Sequence, residues 1–146
     1  MKFSIESKQG HARAGSLTVN SKTINTPAFM TIGTYGSVKT MDSYDLKKCN
    51  VEIILSNAFH LMLRPGTDLI EKVGGLHQLM NWDGLILTDS GGYQVFSLGK
   101  DVKISRKGAE FRSPFNGDKV FMSPEISIDV QTKINTDIMM IFDECI

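Results

Sequence analysis

The chain has 146 residues, 41% hydrophobic and 22% charged, a balance that excludes disordered and fibrous classes and fits one globular domain. Sixteen basic residues offset sixteen acidic ones, so no net field draws the chain to nucleic acid or to an acidic membrane, and any RNA contact must be local. The start, Met1-Lys2-Phe3-Ser4-Ile5-Glu6, has an acid where a signal peptide needs an apolar stretch, and the longest apolar run, residues 138–142, is too short to span a bilayer; the expected location is cytoplasmic. Cys49 and Cys145 are the only cysteines, and their wide spacing suits neither a disulfide framework nor a metal motif, which reads as two free thiols.

Residues 3–6, 12–19 and 22–24 are β-rich and separated by Gly10, Gly15 and Asn20-Ser21, which predicts an antiparallel meander as a preamble, residues 1–25. After Pro27 the rhythm changes. An apolar strand at 28–32 leads through Gly33-Thr34-Tyr35-Gly36 to a helix starting near Asp42 or Ser43 and ending at Asn50. A second unit has a strand at 52–56, then a link through Asn57 to Arg64 and a helix that Pro65 helps open and Gly74-Gly75 close. The third strand, 85–89, is apolar until its last two residues, as a parallel strand buried on both faces requires.

No helix is expected directly after it. Residues 102–122 alternate in strand fashion around an Asn116-Gly117 turn, which predicts an inserted β-hairpin. Ser123-Pro124-Glu125 then supplies a cap, a first-turn proline and an acid at the positive end of a helix whose Ile126, Val130 and Ile134 share one face. A fourth strand, 138–142, runs into Asp143-Glu144-Cys145. Four such units fit either an open doubly wound sheet or half of a closed barrel. Because the chain stops where a covering helix normally follows, the expectation is a fragment, a single incomplete domain whose residues 26–146 form four βα units.

In α/β folds functional groups gather at the carboxyl ends of strands. The third strand ends Thr88-Asp89-Ser90-Gly91-Gly92-Tyr93-Gln94, which combines a carboxylate, a hydroxyl, two residues that let backbone N–H groups approach a ligand, and an aromatic face. Asp89 and Asp143, on neighbouring strand ends, can meet across one pocket, one moving a proton while the other accepts hydrogen bonds from an N–H edge such as that of guanine. The plainer reading of Asp89-Ser90-Gly91-Gly92 is an Asx-type turn, and no phosphate-loop spacing accompanies the glycines. His60 fits a substrate contact or a local hydrogen bond, Asn57 and Arg64 lie at the same predicted edge, and Trp82 reads as packing.

The segment from Thr88 through Asp89-Ser90-Gly91-Gly92-Tyr93-Gln94-Val95-Phe96-Ser97 to Leu98 closely resembles the hallmark of the queuine/archaeosine tRNA-ribosyltransferases, the tRNA-guanine transglycosylase family. Phe29-Met30 with Gly33-Thr34-Tyr35-Gly36, Asn57-Ala58-Phe59-His60-Leu61 with Leu63-Arg64-Pro65-Gly66, Phe111-Arg112-Ser113-Pro114 with Asn116-Gly117-Asp118-Lys119, and Ile141-Phe142-Asp143-Glu144-Cys145 are similar to family blocks in the same order. The resemblance implies an α/β fold, the first half of a (β/α)8 TIM-type barrel preceded by a small antiparallel sheet, with the β-hairpin inserted after the third barrel strand. It implies exchange of guanine at the tRNA wobble position for a 7-deazaguanine, in bacteria 7-aminomethyl-7-deazaguanine for queuosine synthesis, by double displacement.

On that resemblance Asp89 is the proton-transfer carboxylate, Ser90, Gly91, Gly92 and Tyr93 line the base pocket, Asp143 reads the N1/N2 edge, and Cys145 sits beside it. The implied partners are a tRNA with a GUN anticodon, the 7-deazaguanine base and, at full length, a second copy in a homodimer. The family's nucleophile and the ligands of its structural zinc fall beyond Ile146, so this chain alone is expected to bind the base weakly and to catalyse no exchange. Unpaired strand edges make association with itself or a complementary piece a further expectation. The alternative within the family is a noncatalytic accessory subunit or tRNA-binding homologue; such partners tend to lose catalytic carboxylates, whereas Asp89 and Asp143 remain. An archaeosine-type enzyme and a purely structural βα domain complete the set of readings.

Overall fold

The computed structural model describes residues 1–144. At the amino terminus β1 (Lys2–Gln9), β2 (Ala12–Val19) and β3 (Lys22–Thr26) pair as the expected antiparallel meander. Gly10 and Asn20, both left-handed, make its tight turns. Along the chain follow β4 (Thr31–Ile32), α1 (Ser43–Lys48), β5 (Ile53–Ser56), α2 (Ala58–Leu63), α3 (Thr67–Lys72), α4 (Leu76–Met80), β6 (Leu85–Thr88), α5 (Gly92–Leu98), β7 (Lys100–Ser105), β8 (Gly108–Arg112), β9 (Lys119–Met122), α6 (Pro124–Ile134) and β10 (Ile138–Met139).

Strands β4, β5, β6 and β10 form one parallel sheet in that spatial order. The sequence left two arrangements open. The neighbours in space are also successive units along the chain, an order that a barrel shares with one half of a doubly wound sheet. Alternation divides the sheet into two faces. Ile54 and Ile86 pack with Leu46 of α1, Ile70 of α3, Leu76 of α4 and Ile134 of α6. Their neighbours Ile53 and Leu85 turn the other way, onto Val19 and Ile24 of the meander. Both faces are therefore covered at that level, as the apolar runs predict, and each fully buried Ile or Leu contributes about 1.5–3 kcal/mol.

One row further along the meander-side face, Ile32, Leu55, Leu87 and Ile138 align across all four strands. Two residues beyond Leu55 and Leu87 come Asn57 and Asp89, so strand alternation sends both toward this same face at the carboxyl ends of the strands. At the opposite ends of the strands, the Asp137 carboxylate accepts the Ile86 backbone N–H (2.9 Å), lies 2.8 Å from His77 Nε2 and 3.8 Å from Lys22 Nζ. Lys22 also donates to the Gly84 carbonyl (2.8 Å). This cluster ties the meander, α4, β6 and the entry to β10 together.

Several expectations are corrected. The segment expected to be a two-stranded hairpin is a three-stranded antiparallel sheet in the order β7-β8-β9, and the Asn116-Gly117 turn joins only its last two strands. A short helix, α5, does follow β6, because left-handed Gly91 reverses the chain at once. The link from Asn57 to Arg64 contains α2, whose N-cap residue Asn57 makes no capping bond because its side chain is turned to Asp89 instead of to its own helix. The fourth strand is shorter than residues 138–142, since both backbone groups of Met140 bond to the side chain of Gln131. Trp82 is buried and in the core, as read.

Candidate active site

Two consecutive residues at the end of β6 anchor the site. The backbone N–H of Asp89 donates to the Ser56 carbonyl (3.1 Å), which extends the β5–β6 ladder one residue past the strand and fixes where the carboxylate begins. Asp89 Oδ2 accepts from the Asn57 side-chain amide, and Oδ1 accepts from the Ala58 backbone N–H at 3.0 Å. A carboxylate from one strand end thus satisfies the first free N–H of a helix that begins after the neighbouring strand.

Burial holds the Asp89 carboxyl above the ordinary carboxylate range. The bonds from Asn57, Ala58 and the Gln94 amide, and the nearby His60, pull the other way without cancelling it. Burial lowers the pKa of His60, and Asp89 opposes that shift. His60 is held edge-on by Tyr35 (4.9 Å between ring centres) and Phe59 (5.4 Å). Its Nδ1 and the Gln94 Oε1 are buried without a hydrogen-bond partner among the described residues. Two unsatisfied polar atoms beside a carboxyl of raised pKa make this strand end a candidate place for a polar ligand.

Ser90 carries the second half. It is buried, and its hydroxyl donates to Asp143 Oδ1 while accepting the Gly92 backbone N–H at 3.1 Å. The Asp143 backbone N–H also faces this hydroxyl, at 3.4 Å. Gly91 has φ +84° and caps α5; a side chain there would be strained and would press on Met122 and Phe59. Tyr93, on the first turn of α5, is 57% exposed and presents a free ring. The two strand ends are linked through neighbouring residues: Asp89 is held from β5 and α2, and the adjacent Ser90 holds Asp143. A cavity of about 260 Å³ lies against Gly92, Phe96, Ile104, Arg106 and Asp143, but Asp89 is not on its wall, so this cavity is not a space the two carboxylates share.

Cys145 lies outside the described residues, Cys49 is an exposed free thiol, and Arg64 is exposed at the mouth of a separate surface hollow with Tyr35 and Phe115. No group of three or more His, Cys, Asp or Glu side chains is placed to hold a metal ion among the described residues, and none of their helices is long and apolar enough to cross a membrane.

Sequence reasoning gave no role to Gln94, nor to Ser127 and Gln131 of α6. Both α6 residues are fully buried, and the signal was available: Ser127, Val130, Gln131 and Ile134 follow one helical stripe, on which two polar residues interrupt an apolar face.

Residues 7–146 match the family model described as queuine tRNA-ribosyltransferase. Curated relatives bearing that name include those of Herminiimonas arsenicoxydans (56% identical over 145 residues), Hydrogenovibrio crunogenus (57%) and Francisella tularensis subsp. novicida (55%). Each alignment covers 99% of this chain but only 39–40% of the relative, so the chain spans about two fifths of the length of the proteins it matches.

Proposed function

The chain belongs to the queuine tRNA-ribosyltransferase family, and from that premise we propose that the protein containing it exchanges guanine at the wobble position of a GUN-anticodon tRNA for a 7-deazaguanine. The observation that carries this reading is the pairing of two differently held carboxylates. Asp89 has a raised pKa and lies beside unsatisfied polar atoms, while Asp143 is fixed through Ser90 at the next strand end.

In the proposed reaction a nucleophilic carboxylate outside this sequence attacks the ribose anomeric carbon. The glycosidic bond breaks, its electron pair leaves with guanine, and guanine takes up a proton. The incoming base then gives up a proton as its nitrogen attacks the same carbon and displaces the carboxylate. Asp89 serves both transfers, because a carboxyl whose pKa is raised by burial can give a proton in one step and take it in the next. Asp143 accepts paired hydrogen bonds from the N1–H and N2–H edge of the base; Ser90, Gly91 and Gly92 form the floor, and Tyr93 stacks on the ring.

The reading includes the finer architecture: the four parallel strands as the first half of a (β/α)8 barrel, with the β7-β8-β9 sheet inserted after its third strand. It also includes a cytoplasmic homodimer and a structural zinc. The donor set of the described residues does not suit that zinc, and no step runs through it.

The test is incorporation of labelled guanine into a GUN-anticodon tRNA by the protein containing this chain. Incorporation that disappears when the wobble guanosine is replaced supports the reading. A protein that incorporates none, yet binds the tRNA, would overturn it in favour of an accessory role.

A further inference from the structure

Building on that reading, we propose that Gln131, with Ser127, is a positioning residue that sets Asp143 against Ser90 and so controls how strictly the site selects a base carrying the N1–H and N2–H pair. Gln131 has no solvent exposure, and its amide is fully used. Its Oε1 accepts the Met140 backbone N–H (2.9 Å) and the Thr88 hydroxyl (3.0 Å). Its Nε2 donates to the Met140 carbonyl (2.9 Å) and faces the Ser127 carbonyl and hydroxyl (3.3 and 3.2 Å). Both backbone groups of Met140 are met by one side-chain amide, as a neighbouring strand would meet them. The orientation of the amide is fixed by this pattern, because Met140 N–H can only donate and its carbonyl can only accept.

The consequence reaches the site by two routes. Met140 stands three residues before Asp143, so Gln131 fixes the chain where it leaves β10 and turns toward the pocket. One turn earlier on α6, the Ser127 hydroxyl donates to the Ser90 carbonyl (2.7 Å), and Ser90 in turn holds the Asp143 carboxylate. A single helix face therefore holds both partners of the Ser90–Asp143 bond. The Asp89 carboxylate takes its own bonds from Asn57 and Ala58, and the Thr88 hydroxyl keeps an oxygen acceptor when Gln131 becomes Glu. Loosening Gln131 should therefore disturb base recognition and leave the proton-transfer group in place.

The experiment compares Gln131→Glu, Ser127→Ala and Asp143→Ala with the parent in the full protein, measuring KM and kcat for guanine and the preference for guanine over hypoxanthine, which lacks the exocyclic amine. Gln131→Glu keeps the shape and the acceptor for Met140 N–H but turns an oxygen toward two carbonyls. It is expected to raise KM for guanine about tenfold and to shrink the guanine preference by a similar factor. Its kcat at saturating guanine should stay within about twofold, and the pH dependence set by Asp89 should be unmoved. Ser127→Ala should act in the same sense by about threefold, and it decides the matter if the Glu variant does not fold. A guanine preference unchanged in the folded variants, with Asp143→Ala abolishing it, overturns the inference alone. A preference that survives Asp143→Ala overturns the reading of the site on which it rests.

Discussion

Gly92 and Asp143 are packed so closely that position 92 has no room for a side chain: a Cβ there would overlap the Asp143 carbonyl oxygen and lie 2.6 Å from its Oδ1. The backbone of Gly92 is ordinary, so the requirement is one of space. Gly92→Ala is expected to push Asp143 off Ser90, lowering guanine affinity at least about tenfold and costing about 1–3 kcal/mol of stability. Calorimetric titration with guanine, together with urea unfolding, checks both. Unaltered affinity would mean that Asp143 does not bind the base.

Asp89 makes a prediction whose sign runs against intuition. Burial raises its pKa in the folded protein, so the folded state keeps the proton to higher pH than the unfolded chain does. Its contribution to stability is complete below the unfolded value, about 4, and is lost as pH rises through the folded value. At neutral pH the ionised group costs stability. Asp89→Asn should therefore unfold at the same or a higher temperature than the parent at pH 7, with the difference shrinking toward about pH 4, while exchange falls at least about 100-fold. A mutant clearly less stable at neutral pH would show that its hydrogen bonds outweigh burial.

Phe111 of β8 is fully buried and lies 5.4 Å from the ring of Phe59, which precedes His60. This contact joins the β7-β8-β9 sheet to helix α2. Phe111→Ala should cost about 3–5 kcal/mol, and Phe111→Leu well under half of that. Equilibrium denaturation of both variants is the check, and equal losses would point to something other than a cavity.

Asp137, with its side chain 9% exposed, accepts from Ile86 and faces His77 and Lys22 at the far end of the sheet from the site. Removing it in Asp137→Ala leaves a backbone N–H and a cationic group without their partner, for an expected loss of about 2–4 kcal/mol. Guanine KM measured below the melting temperature should not change. A shift in KM at full folding would show that the two ends of the sheet are coupled.

Local signals carried most of the elements, because each rests on chemistry within a few residues. Asp42 and Ser123 cap their helices as their types predict, accepting the Asp45 and Ile126 backbone N–H groups. The run at 85–89, apolar until its last two residues, announces a strand covered on both faces. The segment around Asp89-Ser90-Gly91-Gly92 stood out as a candidate site through its resemblance to the family hallmark, since its residue types alone fit an Asx-type turn equally well.

What the sequence alone determined is thus the βα rhythm and the amino-terminal meander, and it singled out Asp89 and Asp143 as candidates. What only the tertiary structure decided are relationships between distant segments. The strand order without reversal, the capture of Asp89 by Asn57 across 32 positions, the Ser90–Asp143 bond across 53, and the buried amide of Gln131 standing in for a strand all belong to this group. Helix caps and alternation act through neighbours along the chain and leave a periodic trace. A hydrogen bond between remote residues leaves none, because its energy depends on how the sheet and its helices pack.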